Sequence, residues 1–317
     1  MIGSILLAMA AFTLTENIPP AVDPLIAQIE TGDADRFAAL FERTNGRPTA
    51  AQLQREYLDQ GSYGVKIFTP NRIRDASHLA SRIAAKPDLY AKAIRTCLPI
   101  AKQTTSELRA TYLAFHGLLP ERALPRIYLV VGADNSGGTA GPGAQVLGLE
   151  TLCRISETPE QLRTILRGFY AHETVHVFQS NDDEEKGNAL LRDVLTEGAA
   201  DFIAMLVTGR QMDPARTAWA EPREAELWEQ FQADLKTTAG LRMNEMKPGT
   251  PAAESVHRWV ANYGSAPSGW PGEAGYWLGQ RIWERWYNRQ ADKAAAVRAM
   301  LELRDPEAVL AAGSFVK

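Results

Sequence analysis

The residues best suited to chemistry in this chain form the motif His-Glu-x-x-His at residues 172–176. His172 and His176 are four residues apart, so on a helix their imidazoles share one face and can reach a single metal ion. Glu173 lies one position round the helix, where its carboxylate can touch a water molecule bound to that metal. With a third ligand further along the chain, this arrangement would form a zinc site for hydrolysis.

Two carboxylates lie on the next predicted helix, in the segment TEGAAD at residues 196–201. Glu197 follows His176 by 21 residues, which is enough for a helix end, a loop and a returning helix. Glu197 and Asp201 are four residues apart and therefore share a face. Their apolar neighbours indicate a buried helix, in which a carboxylate is unfavourable unless it is paired or bound to a metal. The alternative is an amphipathic helix with two solvated acids.

The sequence contains start and stop signals for two helices, and these helices contain the segments 172–176 and 196–201. Thr158 and Gln161 form a capping box at the start of a helix that is expected to end near residues 179–181. The second helix is predicted from about residue 188 to residue 208, with Gly209 as its C-terminal stop. The motif at 172–176 thus falls inside a helix that is predicted independently of it.

Two strands are predicted before the motif. Residues 127–131 are β-branched and aromatic, and residues 145–150 form a second short apolar run. Between them, residues 132–143 are rich in glycine and predict a long loop. The two strands are expected to form a hairpin or to lie next to each other in a sheet.

The remaining parts of the chain are predicted to be helical. Residues 21–125 show helical spacing, for example at Leu25, Ile26 and Ile29, and contain no recognisable chemistry. Residues 211–317 are helical and contain all seven tryptophans, which are interpreted mainly as packing residues. The expected fold class is therefore α+β and predominantly helical. Its core, at residues 126–210, would bind the metal, and the C-terminal region would complete the cleft.

The composition excludes several functional classes. The 317 residues include 34 basic and 38 acidic ones, a net charge of −4, so no nucleic-acid partner is predicted. No run is long enough to predict a membrane span.

The N-terminus and the cysteines bear on localisation. Residues 1–20 are interpreted as a leader or signal peptide because residues 5–14 are apolar, and an apolar helix packed on the domain is an equal alternative. The protein would accordingly be exported to the periplasm or secreted, or else be cytoplasmic. Cys97 and Cys153 could form a disulfide in an exported protein, but we favour two small core residues.

The pattern HExxH followed by E-x-x-x-D resembles the gluzincins, zinc peptidases of the thermolysin and aminopeptidase type. More closely, the chain resembles a group of poorly characterised bacterial zinc-dependent proteases. In that group a glycine-rich strand-loop-strand precedes HExxH, and an E-G-x-A-D/E-F/Y motif follows it. The matching segments here are Gly137-Gly138, GLE at 148–150, HETVH at 172–176, EGAADF at 197–202 and GYWLG at 275–279. The resemblance covers roughly residues 126–285 and implies a zincin-like core of a small sheet, the HExxH helix and the glutamate helix.

The resemblance also implies roles for individual residues at a metal site. His172, His176 and Glu197 would bind one zinc ion and leave a fourth position for water. Glu173 would act as general base and then return the proton to the leaving amine. Asp201 would orient one of the histidines through its distal N–H group.

Two further parts of the chain would serve the substrate. A tetrahedral oxyanion needs a donor besides zinc, and Tyr276 is the candidate, with Tyr263 and His257 as alternatives. The strand at 145–150 could bind an extended peptide by strand addition, which would place a peptide bond at the metal.

Three functional hypotheses follow. The first is a zinc-dependent peptidase of the gluzincin type that acts on peptides or proteins. The second is a zinc hydrolase of a non-peptide substrate, since the motif defines the nucleophile and not the scissile bond. The third is a non-catalytic binding protein on a degenerate zincin fold, which the presence of Glu173 weakens.

Overall fold

The computed structural model describes residues 18–179 and 187–314. The chain divides into two compact units, an N-terminal unit that ends at Val177 and a C-terminal unit that begins at Phe178. The described residues are predominantly helical with one small mixed sheet, which confirms the α+β fold class. The leader predicted at residues 1–20 lies outside the described residues, except for its last three positions.

The sheet belongs to the N-terminal unit and has the strand order β1-β2-β4-β3. Its strands are β1 (Ile29–Glu30), β2 (Arg126–Val130), β3 (Gly138–Gly141) and β4 (Ala144–Gly148). Strand β2 pairs in parallel with both β1 and β4, whereas β3 and β4 form an antiparallel hairpin. In the described part of the chain, β3 is therefore an edge strand, and β4 is enclosed on both sides.

Helices account for most of the N-terminal unit. They are α1 (Gly32–Arg43), α2 (Ala50–Leu53), α3 (Tyr63–Phe68), α4 (Ala76–Ala85), α5 (Pro87–Lys92), α6 (Leu98–Lys102), α7 (Thr105–Leu118), α8 (Leu149–Arg154) and α9 (Pro159–Phe178). Short π-helical turns occur at Gln54–Leu58, Thr69–Ile73 and Ala93–Cys97. Helix α9 carries the HExxH motif, so this unit positions both histidines.

The described part of the C-terminal unit is helical. Its helices are α10 (Ala189–Thr208), α11 (Pro214–Ala220), α12 (Glu224–Thr237), α13 (Pro251–Trp259), α14 (Ala274–Asn288), α15 (Lys293–Glu302) and α16 (Pro306–Gly313). The short 3₁₀ segments are Glu221–Arg223 and Met243–Glu245. The packing interpretation of the tryptophans is confirmed for Trp259 and Trp283, which are fully buried.

The helical pattern predicted around Leu25, Ile26 and Ile29 is wrong. Ile29 lies in β1, where it pairs with Ile127, while Leu25 and Ile26 precede the strand and are 64% and 69% exposed. Three apolar residues are too short a pattern to separate a helix from an extended segment. Ile29 and Glu30 pair with β2, and the N–H groups of Leu25 and Ile26 donate to Asp23, so this segment finds its hydrogen-bond partners outside a helix.

The region between the two predicted strands differs from the predicted long loop. Residues 138–141 form β3, and the predicted strand at 145–150 ends at Gly148, where α8 begins. Glu150 is fully buried, and its two carboxylate oxygens accept hydrogen bonds from the N–H groups of Gly132 and Asp134, at 2.9 and 3.0 Å. Burial raises the pKa of Glu150 to about 7. Glu150 therefore holds the loop between β2 and β3 in place.

The prediction that a peptide adds to the strand at residues 145–150 is also wrong. Strand β4 hydrogen-bonds to β2 on one side and to β3 on the other, so it has no edge to offer a peptide. The crossover that inserts β4 between β2 and β3 has no local signal in the sequence. The edge available in the described residues is that of β3.

The preference for two unbonded core cysteines is wrong. Cys97 and Cys153 form a disulfide, with their Cα atoms 5.8 Å apart. Both residues are buried, at 2% and 0% exposure, as expected of core residues. Helix α8 brings Cys153 against the π-helical turn that contains Cys97, and this tertiary contact cannot be predicted from the spacing of the two cysteines.

Breaking this disulfide is expected to destabilise the protein substantially. The bond links residues 56 positions apart, and a loop of that size is expected to contribute about 4 kcal/mol to the free energy of unfolding by restricting the unfolded chain. Urea denaturation of the oxidised protein and of the Cys97→Ala/Cys153→Ala variant measures this difference. Equal midpoints under oxidising conditions would show that the two thiols are not bonded in solution.

None of the helices among the described residues is both long enough and apolar enough to cross a membrane.

Candidate metal centre

Helix α9 places the two histidines one turn apart, as predicted. The capping box is present: the N–H of Gln161 donates to the Thr158 hydroxyl at 3.2 Å, and the N–H of Thr158 donates to the Gln161 side chain at 3.3 Å. The helix then continues to Phe178, past His172 and His176. The start of the helix and the spacing of the motif therefore determine the common face of the two imidazoles.

The two imidazoles converge on one point. The Nε2 atoms of His172 and His176 lie 3.0 Å apart, and the ring planes are almost perpendicular. Two nitrogens that bind one zinc ion in a tetrahedral arrangement lie about 3.3 Å apart. A slight opening of the pair would let both nitrogens bind the same ion.

Glu197 supplies a third donor. His172, His176 and Glu197 each offer a ligand atom, and these atoms all lie within 4.8 Å of one another. His172 is only 7% exposed, and the other two residues are partly buried. Two imidazole nitrogens and a carboxylate oxygen match the donors that zinc uses in sites with three protein ligands. The three predicted ligands are thus brought together in a group that could hold a metal ion.

The helix that carries Glu197 begins and ends as predicted. The side chain of Asn188 caps α10 by accepting the N–H of Leu191 at 3.1 Å. Gly209 ends the helix in the left-handed conformation, with φ of +69°. Asp201, on the same helix as Glu197, is 4% exposed, which excludes a solvated acid at that position.

Helix α10 packs backbone to backbone against α14. A Cβ atom at Gly198 would lie 2.4 Å from the Cα of Gly279, and one at Gly279 would lie 1.9 Å from the carbonyl oxygen of Val194. The indole N–H of Trp283 donates to the carbonyl of Leu195 at 2.8 Å and ties the same two helices. Gly198 and Gly279 therefore permit a close approach of the two helices, and the last glycine of GYWLG is a packing residue.

Glu173 lies beside β3, the edge strand of the sheet. It is 6% exposed, and a Cβ atom at Gly138 of β3 would lie 2.4 Å from its Oε1 atom. Because glycine has no Cβ, the backbone of β3 can pass directly beside the carboxylate. Gly138 is therefore required where the edge strand passes the Glu173 carboxylate. The sequence pattern alone does not predict this contact.

Substitution of Gly138 by alanine is expected to displace the Glu173 carboxylate. Under the zinc-peptidase hypothesis Glu173 is the general base, and a shift of about 1 Å in such a group can lower a rate by about 100-fold. That hypothesis therefore predicts a strong fall in hydrolytic activity with unchanged zinc content. Gly117→Ala is the matched control, because a Cβ atom there would meet nothing within 4 Å. Peptide hydrolysis and zinc content of the two variants measure the effect. A fully active Gly138→Ala variant would contradict the placement of Glu173.

Tyr276 lies in the first turn of α14 and is partly buried. Burial, and then the negative charge of Glu197, raise the pKa of Tyr276 well above its usual value. The phenol therefore keeps its proton and can donate a hydrogen bond. Of the alternatives, Tyr263 is 41% exposed, and the His257 ring hydrogen-bonds the Ser265 hydroxyl at 3.2 Å.

Arg216 on α11 is a residue that no sequence motif marked. It is 7% exposed, its guanidinium lies 3.6 Å from the Asp201 carboxylate, and it stacks over the Tyr276 ring at 5.1 Å. Asp213, which caps α11, is a visible sequence signal for the helix start. That signal predicts where Arg216 sits along α11 but not which residues it contacts.

No protein-family model, no curated protein and no solved structure matches this chain. The resemblance to the gluzincins therefore stays a prediction.

Proposed function

We propose that the protein is a zinc-dependent peptidase in which His172, His176 and Glu197 bind one zinc ion. The observation that carries this proposal is the convergence of the three donor atoms within 4.8 Å of one another. A zincin-like core, with the small sheet, α9 and α10 as its parts, is part of the same proposal. The donor set favours zinc over magnesium or calcium, which prefer oxygen ligands alone.

A zinc ion held by these residues would supply Lewis acidity, which polarises a carbonyl group and lowers the pKa of water towards neutrality. Glu173 would take the proton of the attacking water and deliver it to the leaving amine. The Tyr276 hydroxyl would donate a hydrogen bond to the developing oxyanion. Asp201 is proposed to orient a histidine ligand, as carboxylates do in other zinc sites.

A peptide is the substrate class that the sheet favours. The backbone of β3 is paired with β4 on one side only in the described residues, and Gly138 of β3 lies against Glu173. An extended peptide that added to this edge would gain main-chain hydrogen bonds and lie next to the general base. Recognition through the backbone would impose little sequence selectivity on the substrate.

The disulfide supports export as the localisation. Disulfides persist mainly in oxidising compartments, such as the periplasm or the extracellular space. Cys97 and Cys153 are bonded to each other, so this support is independent of residues 1–20. We propose that the protein is periplasmic or secreted.

The function is tested with an unfolded protein such as casein, a library of quenched fluorogenic peptides and a panel of esters. We expect peptide hydrolysis that a chelator abolishes and that one equivalent of zinc restores. Hydrolysis that survives complete metal removal would contradict the proposal. Zinc-dependent cleavage of esters alone would indicate a non-peptide hydrolase, and zinc binding without turnover would indicate a binding protein.

A further inference from the structure

Arg216 is buried and charged, which requires compensation from its surroundings. Its side chain is 8% exposed, and its guanidinium has a carboxylate on two sides, Asp201 and Asp213, each at 3.6 Å. A third contact is a hydrogen bond from Nη1 to the carbonyl oxygen of Glu273, at 3.0 Å. Removing one partner of a buried ion pair is strongly unfavourable, because the remaining carboxylate then lacks its counter-charge.

The contacts of Arg216 connect three segments of the C-terminal unit. Asp201 lies on α10, one helical turn after Glu197, and Arg216 itself lies on α11. Asp213 fixes the start of α11, since its side chain accepts the N–H of Arg216 at 2.9 Å. The third segment is the start of α14, reached through Glu273.

The backbone carbonyl of Glu273 connects Arg216 to Tyr276. The carbonyl of Glu273 accepts both the guanidinium of Arg216 and the backbone N–H of Tyr276, each at 3.0 Å. Glu273 has a φ of +58°, in the left-handed region, and its N–H donates to the Asn262 side chain at 2.6 Å. An unfavourable backbone conformation of this kind persists only when its neighbours hold it. The guanidinium also stacks over the Tyr276 ring, at 5.1 Å, which adds a cation–π contact.

We propose that Arg216 is a positioning residue, which holds Tyr276 and Asp201 in a fixed relation to each other and thereby sets the rate of hydrolysis. This inference rests on the proposed function for the roles of Tyr276 and Asp201. The contacts described for Arg216 are with groups of the protein, so its role is assigned through those neighbours. Its Nη1 atom contacts Asp201 and the Glu273 carbonyl, while its Nε atom faces Asp213. A lysine ammonium has a single nitrogen and cannot reproduce that geometry.

The kinetic test compares Arg216→Gln, Arg216→Lys and the control Arg223→Gln. Arg223 also stacks on an aromatic ring, that of Trp219, and donates to a backbone carbonyl, but it contacts a different part of the unit. We expect Arg216→Gln to lower kcat by about 100-fold, with little change in KM and with unchanged zinc content. Arg216→Lys should recover part of that loss because it keeps the charge, and Arg223→Gln should behave as wild type.

A second measurement is independent of hydrolysis. The full-length protein is labelled with 3-fluorotyrosine, and the resonance of Tyr276 is identified in the ¹⁹F spectrum from the Tyr276→Phe variant. We expect Arg216→Gln to shift or broaden this resonance and Arg223→Gln to leave it unmoved. If Arg216→Gln does not fold, Arg216→Lys carries both measurements, since it keeps the buried charge.

Three results would overturn the inference. The first is a kcat in the Arg216 variants equal to that of wild type, and the second is a Tyr276 resonance that does not move. The third is loss of zinc together with loss of kcat, which would make Arg216 part of the metal-binding scaffold. If the wild-type protein binds zinc but hydrolyses no peptide, the proposed function fails, and the Tyr276 resonance still decides whether Arg216 positions that side chain.

Discussion

Replacing Glu173 with glutamine is expected to lower kcat for peptide hydrolysis by about 10²- to 10⁴-fold, while the protein keeps its zinc. Glutamine has nearly the same shape as glutamate but cannot accept a proton, so the variant removes the proposed general base alone. Glu173 is 6% exposed and lies beside β3, so the uncharged side chain should remain in the same place. Steady-state kinetics with a fluorogenic peptide, together with metal analysis of the same samples, measure both quantities.

Glu160→Gln is the matched control for this experiment, because Glu160 lies on the first turn of α9 and is exposed. The control should retain wild-type activity. A Glu173→Gln variant with full activity would show that another group accepts the proton. Loss of zinc from that variant would instead indicate that Glu173 contributes to metal binding.

Replacing Gly279 with alanine is expected to destabilise the C-terminal unit. Its Cβ atom would lie 1.9 Å from the Val194 carbonyl oxygen and 3.0 Å from the Cα of Gly198, so α10 and α14 must separate. Overpacking usually lowers the free energy of unfolding by about 1–3 kcal/mol, and a contact between two backbones should fall at the upper end or beyond. Because α10 carries Glu197, affinity for zinc should fall with stability.

Thermal unfolding measured by circular dichroism, with and without added zinc, tests this prediction. Gly117→Ala serves again as the control, since its Cβ atom would meet nothing within 4 Å. In a helix this substitution should be neutral or stabilise by up to about 1 kcal/mol. If Gly279→Ala unfolds at the wild-type temperature, α10 and α14 do not approach each other as described.

Local signals in the sequence were sufficient to predict where helices α9 and α10 begin and end. The predicted capping box at Thr158 and the predicted stop at Gly209 each depend on residues within a few positions, as does the cap at Asn188 that the structure adds. The four-residue spacing of His172 and His176 then determines a common face. These predictions succeeded because helix geometry relates them to neighbours in the chain.

Contacts between distant segments could not be predicted in the same way. The crossover that encloses β4 and leaves β3 at the edge depends on pairing with β2, for which the sequence has no local signal. The contact between Gly138 and Glu173, the bond between Cys97 and Cys153, and the position of Arg216 are also tertiary. In each case the sequence gives the residue type but does not indicate which distant residue it contacts.

Zinc content is the most direct test of the central claim, which is that His172, His176 and Glu197 together hold one ion. Wild-type protein and the Glu197→Ala variant are loaded with zinc, freed of unbound metal and analysed by mass spectrometry for metal per chain. Glu197 is the informative ligand because its donor atom comes from a different helix than those of the histidines. We predict one zinc ion per wild-type chain and a clear loss of zinc in Glu197→Ala. A wild-type chain without zinc, or a Glu197→Ala variant that holds as much zinc as wild type, would contradict the account.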